Sequence, residues 1–562
     1  MMLKDRQALI KNSKPILLVI SGAAIALGVG ALFGYWVSGR QQTTSALPVG
    51  SEVVPQEVVL SLSLTTDTGR WQRFRTLGTP ASRAVLDQTL LDWRDRFLTQ
   101  NGLDYERDIR PWVGNEVTIA LMPTATAMGA PSDFLKPSPT NQQKTVAVFP
   151  IARPDAAQAV LTQPPTAPGA KVTALTYQGL QIWSVDGEGD RDYAATVLDN
   201  RFLVLGTSPK VIEQVIDTYR GKPSLEDDAD YRNAFATTAA PNSFLRFYLN
   251  APQARALVTR DNLQPVPLLG LTPLQNSQGV AGTMTVSSGG IQIQGKTWLP
   301  ANAQTRNKVE NRASKTLALL PANTLMMAAG SNFQDFWQRY SQQATAPPDS
   351  PLNPTTFEAG IRSLTGLDPT QDLFAWMTGE FSLALVPLPN PSPSLRTGLL
   401  LTVQSGDRAA TEKSLQQLDE VLRSRYQFQV ASAQVDGQPV VNWISPFGSL
   451  SFSHGWLNSE TAFLALGPSL PSAILPKPDT ALTQVSPFST GGDTPVKATH
   501  SQFFANVEQL MTSNPPIPLP KLPPEADAVV RAIRTLSASL TIESDRTSQF
   551  EIGVVIRQEG LP

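Results

Sequence analysis

Cysteine is absent from this chain of 562 residues, and histidine occurs only twice. The lack of cysteine excludes disulfide bonds, thiolate metal sites and cysteine nucleophiles. Charged residues make up 16% of the sequence, against about 25% in ordinary soluble proteins. The net charge of −2 provides no long-range field that would attract nucleic acid. We therefore expect no nucleic-acid partner and no thiol chemistry.

Recognisable catalytic motifs are missing as well. The sequence contains no Gly-x-Ser-x-Gly elbow, no phosphate-binding loop and no His-Glu-x-x-His. His454 falls in a predicted hairpin turn and His500 near the start of a predicted strand, so both are expected at the surface without a catalytic role. The chain is therefore predicted not to be an enzyme and to need no cofactor.

One acidic stretch could be taken for a calcium loop. Acidic residues alternate from Asp186 to Asp192 in a glycine-containing turn. An EF-hand loop, however, requires glycine where Arg191 stands and glutamate where Val197 stands. A solvated hairpin tip is the better interpretation, and no metal site is predicted.

The N-terminus has the pattern of a membrane anchor. A basic tail, residues 1–15, precedes residues 16–37, which carry no formal charge and could cross about 30 Å of hydrocarbon as a helix. The positive-inside rule keeps the tail in the cytoplasm and places everything after a linker, residues 38–52, across the membrane. A cleaved signal peptide is the alternative, but its apolar region is normally about 7 to 15 residues long. We expect an uncleaved single-pass anchor embedded in the lipid bilayer.

Small residues recur along the predicted membrane helix. Gly22, Ala26, Gly30 and Gly34 are spaced four apart and would form one stripe. Such a stripe allows two membrane helices to approach closely. The alternative interpretation is that glycine and alanine are simply common in membrane helices.

The most informative feature is an internal repetition of sequence. The run Gly102 to Pro123 recurs as Gly366 to Pro387, with nine of 22 positions identical and no gap. Upstream, Trp71-Gln-Arg-Phe recurs as Trp337-Gln-Arg-Tyr, and downstream the Phe-Leu-x-Leu-Gly run at 202–206 recurs at 463–467 in the same order. This pattern predicts two tandem copies of one domain. The predicted ranges are 53–300 for the first copy, 301–316 for a linker and 317–562 for the second copy.

Each copy has the pattern of an α+β domain. Short strands at hairpin spacing and helices in clusters favour a mainly antiparallel sheet with packed helices. Helices are predicted at Ala84–Leu98 and Pro209–Tyr219, and strands at Thr196–Leu205 and Gly290–Trp298, among others. The overall fold prediction is thus an N-terminal transmembrane helix followed by two copies of this domain.

The repeated motif contains carboxylates and tryptophans that could serve chemistry or structure. Paired acids can hydrolyse substrates, but an aspartate at a helix start caps it and a glutamate at a strand start can pair with an arginine. Repeated tryptophans could form a ligand cage, but they more often anchor a core. We assign both sets a structural role. The residues are Trp71, Asp104, Asp108, Trp112, Glu116, Trp183, Trp337, Asp368, Asp372, Trp376, Glu380 and Trp443.

The Gly-Leu-Asp-x-x-x-Asp-Ile/Leu-x-x-Trp-x-x-x-Glu run, present twice after a membrane anchor, resembles the bacterial family named domain of unknown function 3352. The resemblance covers nearly everything after residue 50, and the family is well represented in cyanobacteria. It implies an exported or membrane-anchored protein without an assigned reaction. In a cyanobacterium the bulk of the chain would lie in the periplasm or the thylakoid lumen.

Three functions remain open from the sequence. The first is a non-enzymatic scaffold or assembly protein that binds a membrane or exported protein. The second is a carrier of an apolar ligand such as a lipid or pigment, held in a cavity between sheet and helices. The third is a carboxylate hydrolase, which requires Asp108 and Glu116 to converge in an open cleft. The sequence favours the scaffold.

Overall fold

The structure, a computed structural model, describes most of the chain from residue 47 onwards. The described residues are 47–97, 104–123, 144–162, 170–186, 192–238, 242–258, 277–304, 306–343, 353–392, 395–446, 448, 451–485, 497–512 and 524–558. The predicted membrane helix 16–37, with Gly22, Ala26, Gly30 and Gly34, lies outside them. Within the described ranges, no helix combines the length and the apolar character needed to cross a bilayer.

Twenty strands of the described chain form one hydrogen-bonded sheet. The first ten are β1 (Leu60–Thr65), β2 (Glu116–Leu121), β3 (Thr145–Pro150), β4 (Lys171–Tyr177), β5 (Leu180–Asp186), β6 (Tyr193–Leu198), β7 (Phe202–Gly206), β8 (Ser243–Asn250), β9 (Gly279–Ser287) and β10 (Gly290–Trp298). The second ten are β11 (Met326–Gly330), β12 (Phe381–Pro387), β13 (Thr397–Gln404), β14 (Gln429–Val435), β15 (Gln438–Ile444), β16 (Ser451–Trp456), β17 (Thr461–Leu466), β18 (Ser501–Ala505), β19 (Ile533–Ile542) and β20 (Thr547–Ile556).

The strand order is the same on both sides of a central pair. Strands β10 and β20 pair antiparallel, from Gly290 opposite Val555 to Trp298 opposite Thr547. Outward from β10 the order is β9-β8-β1-β2-β3-β7-β6-β5-β4, with every neighbouring pair antiparallel. Outward from β20 it is β19-β18-β11-β12-β13-β17-β16-β15-β14, again antiparallel throughout. We call β1–β10 with their helices the first half and β11–β20 with theirs the second half.

Twelve α-helices of the described chain accompany the sheet. They are α1 (Thr68–Thr76), α2 (Pro80–Phe97), α3 (Pro154–Thr162), α4 (Pro209–Tyr219), α5 (Ala229–Thr238), α6 (Ala251–Val258), α7 (Phe333–Gln343), α8 (Pro354–Thr365), α9 (Arg408–Tyr426), α10 (Pro471–Ile474), α11 (Val507–Thr512) and α12 (Pro524–Ala532). Antiparallel strands with helices clustered on the faces make this an α+β fold, as the sequence predicts.

Helices cover both faces of the sheet. On one face, α4 buries Val211, Ile212, Val215 and Ile216, whose spacing follows the helical period, against strands β3, β5, β6 and β7. On the other face, Leu62 and Leu64 of β1 pack with side chains of α1 and α2 and with residues of β19 and β20. This second core therefore joins the two halves.

Most element predictions agree with the structure, and one is wrong. The predicted helix Pro209–Tyr219 and strand Gly290–Trp298 have the predicted bounds, and α2 overlaps the predicted helix 84–98. The predicted single strand Thr196–Leu205 is two strands, β6 and β7, because Asp199 and Asn200 adopt positive φ values of 46° and 53° and turn the chain back. The domain boundaries and the linker 301–316 stay predictions.

Candidate functional site

The repeated Gly-Leu-Asp motif forms a single π-helical turn followed by a strand. In the first half the turn is Tyr105–Ile109. The Asp104 side chain accepts a hydrogen bond from the Arg107 backbone N–H at 3.0 Å, and the Asp104 N–H donates to the Asp108 carboxylate at 2.7 Å. The two aspartates therefore cap the turn reciprocally, and the predicted N-cap is confirmed.

The second half repeats this cap. Its turn is Pro369–Leu373, and the Asp368 carboxylate accepts hydrogen bonds from the backbone N–H groups of Thr370 and Gln371, both at 3.0 Å. The Asp368 N–H donates to the Asp372 carboxylate at 2.7 Å. The two aspartates of the motif therefore cap the π-helical turn by the same reciprocal hydrogen bonding in each half.

Neighbouring arginines shift the acidity of two capping residues. A hydrogen bond from the Arg107 guanidinium holds the pKa of Asp108 below its usual range. In the second half, a hydrogen bond from Arg362 does the same to the pKa of Asp368. Both carboxylates are therefore ionised at neutral pH, and they stay ionised to a lower pH than an ordinary aspartate does.

Glu116 forms a buried ion pair in the first half. Its Oε1 accepts a hydrogen bond from Arg246 Nε at 2.7 Å, its Oε2 from the Arg246 Nη2, and the side chains are only 10% and 5% exposed. Oε2 also accepts the backbone N–H of Val49 at 3.0 Å. Glu116 therefore ties the segment that leads into the first half to the sheet, and the two-point geometry compensates for the loss of water.

Glu380 performs the same task in the second half with different partners. Its carboxylate accepts hydrogen bonds from the backbone N–H groups of Ser314, Lys315 and Thr316 at 2.7, 3.1 and 2.8 Å. A fourth comes from the Thr316 hydroxyl at 2.8 Å. These donors open the 3-10 helix Thr316–Leu319, so a buried negative charge sits at a helix N-terminus, where it is favoured.

The geometry removes the basis of the hydrolase hypothesis at these residues. That hypothesis requires Asp108 and Glu116 to meet in an open cleft. Asp108 instead caps a turn, while Glu116 lies in a buried ion pair with Arg246. The two carboxylates therefore do not meet in an open cleft.

The repeated tryptophans lie in cores, with one partial exception. Trp71, Trp112, Trp376, Trp443 and Trp183 are at most 9% exposed. Trp337 is half-buried, and its indole N–H donates to Glu358 at 2.8 Å. Its ring lies 5.2 Å from that of Phe374 on the core side and 5.2 Å from that of Phe357 on the outer side.

The surface placement predicted for His454 is wrong. His454 lies within β16, is 6% exposed, and places Nε2 3.0 Å from Asp419 Oδ1 on α9. The same oxygen accepts the indole N–H of Trp443 at 2.6 Å. Burial lowers the pKa of His454 against the opposing effect of Asp419. This cluster joins α9 to the β15–β16 hairpin, and Val197 holds the matching register position in the first half.

The second half carries an apolar helix face that the sequence reasoning did not single out. We define the α8 face as Phe357, Ile361 and Leu364, spaced four and three residues apart on one side of α8. Phe357 is 42% exposed and Leu364 57% exposed. Ile361 packs against the core below, together with Trp337. The α8 face is therefore an apolar surface that is packed on the core through Ile361 and is exposed to solvent at Phe357 and Leu364.

Helix α2 occupies the same place in the chain order of the first half. Both α2 and α8 follow the helix that carries Trp-Gln-Arg and precede the Gly-Leu-Asp motif. Helix α12 packs against α2, whose Leu86 and Leu90 contribute to the core shared with β19 and β20. Leu86 and Leu90 of α2 are thus covered within the chain, whereas Phe357 and Leu364 of α8 are exposed.

The acidic run between residues 187 and 191 lies outside the described residues. Elsewhere in the described part of the chain, no group of three or more histidine, aspartate and glutamate side chains could hold a metal ion.

Comparison with known proteins identifies a family but no activity. A family model described as "Protein of unknown function (DUF3352)" matches residues 19–555, which confirms the resemblance seen in the repeated motif. No curated protein matches the chain. Two solved structures, crystal forms III and I of TP0453, each share 11% identity at a TM-score of 0.25. The matched regions cover 46% and 47% of this chain, respectively, and 82% of the chain in each of the two structures. At that level the likeness carries no argument.

Proposed function

The chain belongs to the family described as proteins of unknown function DUF3352, and from that premise we propose that it is a membrane-anchored extracytoplasmic interaction protein. Residues 16–37 would hold it in the bilayer with the N-terminus in the cytoplasm, as the charge pattern favours. The bulk of the chain would lie in the periplasm or thylakoid lumen. It would act as a scaffold or assembly factor and not as an enzyme.

We further propose that the bulk consists of two tandem copies of one domain. The identical strand order outward from β10 and β20 supports this, as do the paired caps Asp104–Asp108 and Asp368–Asp372. A duplication explains why the α8 face exists. In the first copy, α12 of the second copy packs against the corresponding helix α2, whereas Phe357 and Leu364 of α8 are exposed.

The exposed α8 face is the observation that carries the functional proposal. Single exposed apolar residues are ordinary on a protein surface, but Phe357 and Leu364 lie on one helix face and are connected by the half-buried Ile361, and a continuous apolar surface of this kind is typical of an interaction site. The Phe357 ring packs at a tilt of 50° against Trp337, whose indole N–H is bound by Glu358, so the Phe357 ring is held in place before a partner arrives. Such preorganised aromatic residues dominate binding energies at protein interfaces.

The spacing of the face fits a helical partner. Residues separated by four and three positions form the stripe that packs against a second helix. The partner we propose is a membrane or exported protein that presents an apolar helix. Arg362 lies on the same helix and pairs with Asp368 at 2.8 Å, which gives the rim a polar character suited to a protein surface.

Variants of the α8 face test this proposal. The full chain is purified from its host in mild detergent, and co-purifying proteins are quantified for the native chain and for Phe357→Glu/Leu364→Glu. The control is Val309→Glu, because Val309 is 59% exposed but lies outside the α8 face. Burial of two large apolar side chains contributes about 3 kcal/mol or more, so the double variant should bind the partner at least ~100-fold more weakly.

The outcomes separate the remaining functions. A stoichiometric membrane or exported protein that is lost from the double variant and kept by Val309→Glu supports the proposal. A partner that stays with the double variant overturns it. A lipid or pigment that co-purifies at one equivalent without any protein would favour the carrier of an apolar ligand instead.

A further inference from the structure

The two outer edges of the sheet differ in how well they are covered. Strand β4 forms one edge and pairs only with β5 in the described part of the chain. Its residues Lys171 to Thr176 are all exposed, including Val172 at 36% and Leu175 at 42%. At the opposite edge, α9 packs against β14, and four of its seven residues are partly buried. An open, straight edge strand is a template for pairing with another strand.

The turn that follows β4 determines which backbone groups point outward. Gln178 and Gly179 have φ values of 47° and 80° and join Tyr177 to Leu180, which is a two-residue hairpin of the type I′ kind. The pair that flanks such a turn exchanges both its hydrogen bonds, and the pattern then alternates along the strand. Val172, Ala174 and Thr176 therefore direct their N–H and C=O groups away from β5, towards the open edge.

This edge is complementary to itself. If two copies of β4 lie antiparallel about Ala174, each outward-facing residue meets another outward-facing one: Ala174 meets Ala174, and Val172 meets Thr176 twice. Six backbone hydrogen bonds would then form between the chains. Lys171, the one charged residue of β4, would lie opposite Tyr177 of the other copy. The two Lys171 side chains would therefore lie at opposite ends of the paired strands and would not repel each other.

We propose that two copies of this protein pair through their β4 strands to form a two-fold dimer with one continuous sheet. The chain already contains a junction of this kind, because β10 and β20 join its two halves antiparallel over nine residue pairs. Pairing of β4 with β4 closes after two copies, whereas pairing of β4 with β14 would continue into a filament. The dimer is independent of the partner proposed for the α8 face.

The absence of cysteine gives a direct test. Ala174→Cys introduces a single thiol into the full chain, which contains no other. In the proposed register the two Cα atoms would lie about 5.5 Å apart, within the range of a disulfide. Mild oxidation of the protein in detergent should convert most of the chain into a covalent dimer. Ser432→Cys, at the corresponding outward position of β14, is the matched control and should not crosslink.

A proline at the same position removes the pairing without breaking β4. Because the Ala174 N–H points away from β5, Ala174→Pro should leave the hairpin hydrogen bonds in place. Light scattering of the full chain in detergent should give a dimer for the native protein and for Ser432→Pro, and a monomer for Ala174→Pro.

Three results would overturn the dimer. They are a monomeric native chain, equal crosslinking of Ala174→Cys and Ser432→Cys when each is tested alone, and crosslinking only when the two variants are mixed. The last would indicate β4–β14 pairing instead. If Ala174→Pro fails to fold, the cysteine experiment decides alone.

Discussion

Gln502 occupies in the second half the register position that Arg246 occupies in the first. Arg246 lies opposite Ser63 on β1, which lies opposite Thr118, and Gln502 lies opposite Ala329 on β11, which lies opposite Ser382. Arg246 binds Glu116, whereas the Gln502 side chain donates to the Ala313 carbonyl at 3.0 Å. The glutamate of the motif is therefore paired with an arginine in the first half, whereas in the second half it is held by hydrogen bonds from backbone N–H groups.

Removal of Arg246 should be far more damaging than removal of Gln502. Arg246→Met leaves Glu116 buried without its cation, which costs about 3 to 5 kcal/mol of folding free energy. Gln502→Met loses neutral hydrogen bonds and should cost about 1 kcal/mol. Denaturant unfolding of the full chain measures both, and equal costs would contradict the assigned geometry. Glu116→Gln/Arg246→Met should recover part of the loss.

Glu380→Gln should destabilise the second half without any arginine being involved. The change replaces a carboxylate that accepts four hydrogen bonds with an amide whose NH₂ group cannot accept. We expect a loss of about 2 to 3 kcal/mol, because charge-assisted bonds are involved. Hydrogen exchange of Ser314, Lys315 and Thr316 should rise in the variant. Unchanged protection of these amides would show that Glu380 does not hold them.

The aspartate caps should tolerate asparagine and not alanine. Asp104→Ala and Asp368→Ala each remove the acceptor at the start of a π-helical turn and should lower the thermal midpoint. Asn can accept the same backbone hydrogen bonds, so Asp368→Asn should cost much less at neutral pH. Thermal unfolding at pH 7 provides the comparison. A loss as large for asparagine as for alanine would mean that charge, and not capping, is the main contribution.

Acidification should weaken the chain through His454. Burial lowers the pKa of His454 below its unfolded value of about 6.5. The unfolded state therefore binds more protons below that pH, so stability is full above pH 6.5 and is lost as the pH falls. The thermal midpoint should drop between pH 7.5 and 5.5, and less steeply in His454→Gln. Burial also lowers the pKa of His500, so His500→Gln serves as a second comparison. A midpoint that rises with acid would contradict the assignment.

The local features of this fold could be predicted because each rests on nearby residues. Helix Pro209–Tyr219 has a helical apolar period, and Asp104 and Asp368 precede their turns directly. The split of the predicted strand Thr196–Leu205 carried a local signal too. Asp199 and Asn200 are the residue types that tolerate a left-handed turn.

The contacts that bury these polar groups and build the candidate site could not be predicted, because they join distant parts of the chain. Arg246 lies 130 residues from Glu116, and Asp419 lies 35 residues from His454. Only the folded sheet brings these groups together. The exposure of Phe357 could not be predicted either, since its helix has the same apolar pattern whether or not another helix covers it.

Photo-crosslinking at position 357 tests the central proposal most directly. A photoreactive phenylalanine analogue replaces Phe357 in the full chain, expressed in its host and irradiated in intact membranes, with the analogue at Val309 as the control. We predict one protein adduct of defined mass from position 357 and none from position 309. Adducts with lipid alone at position 357, or the same protein adducts at both positions, would contradict an interaction site on the α8 face.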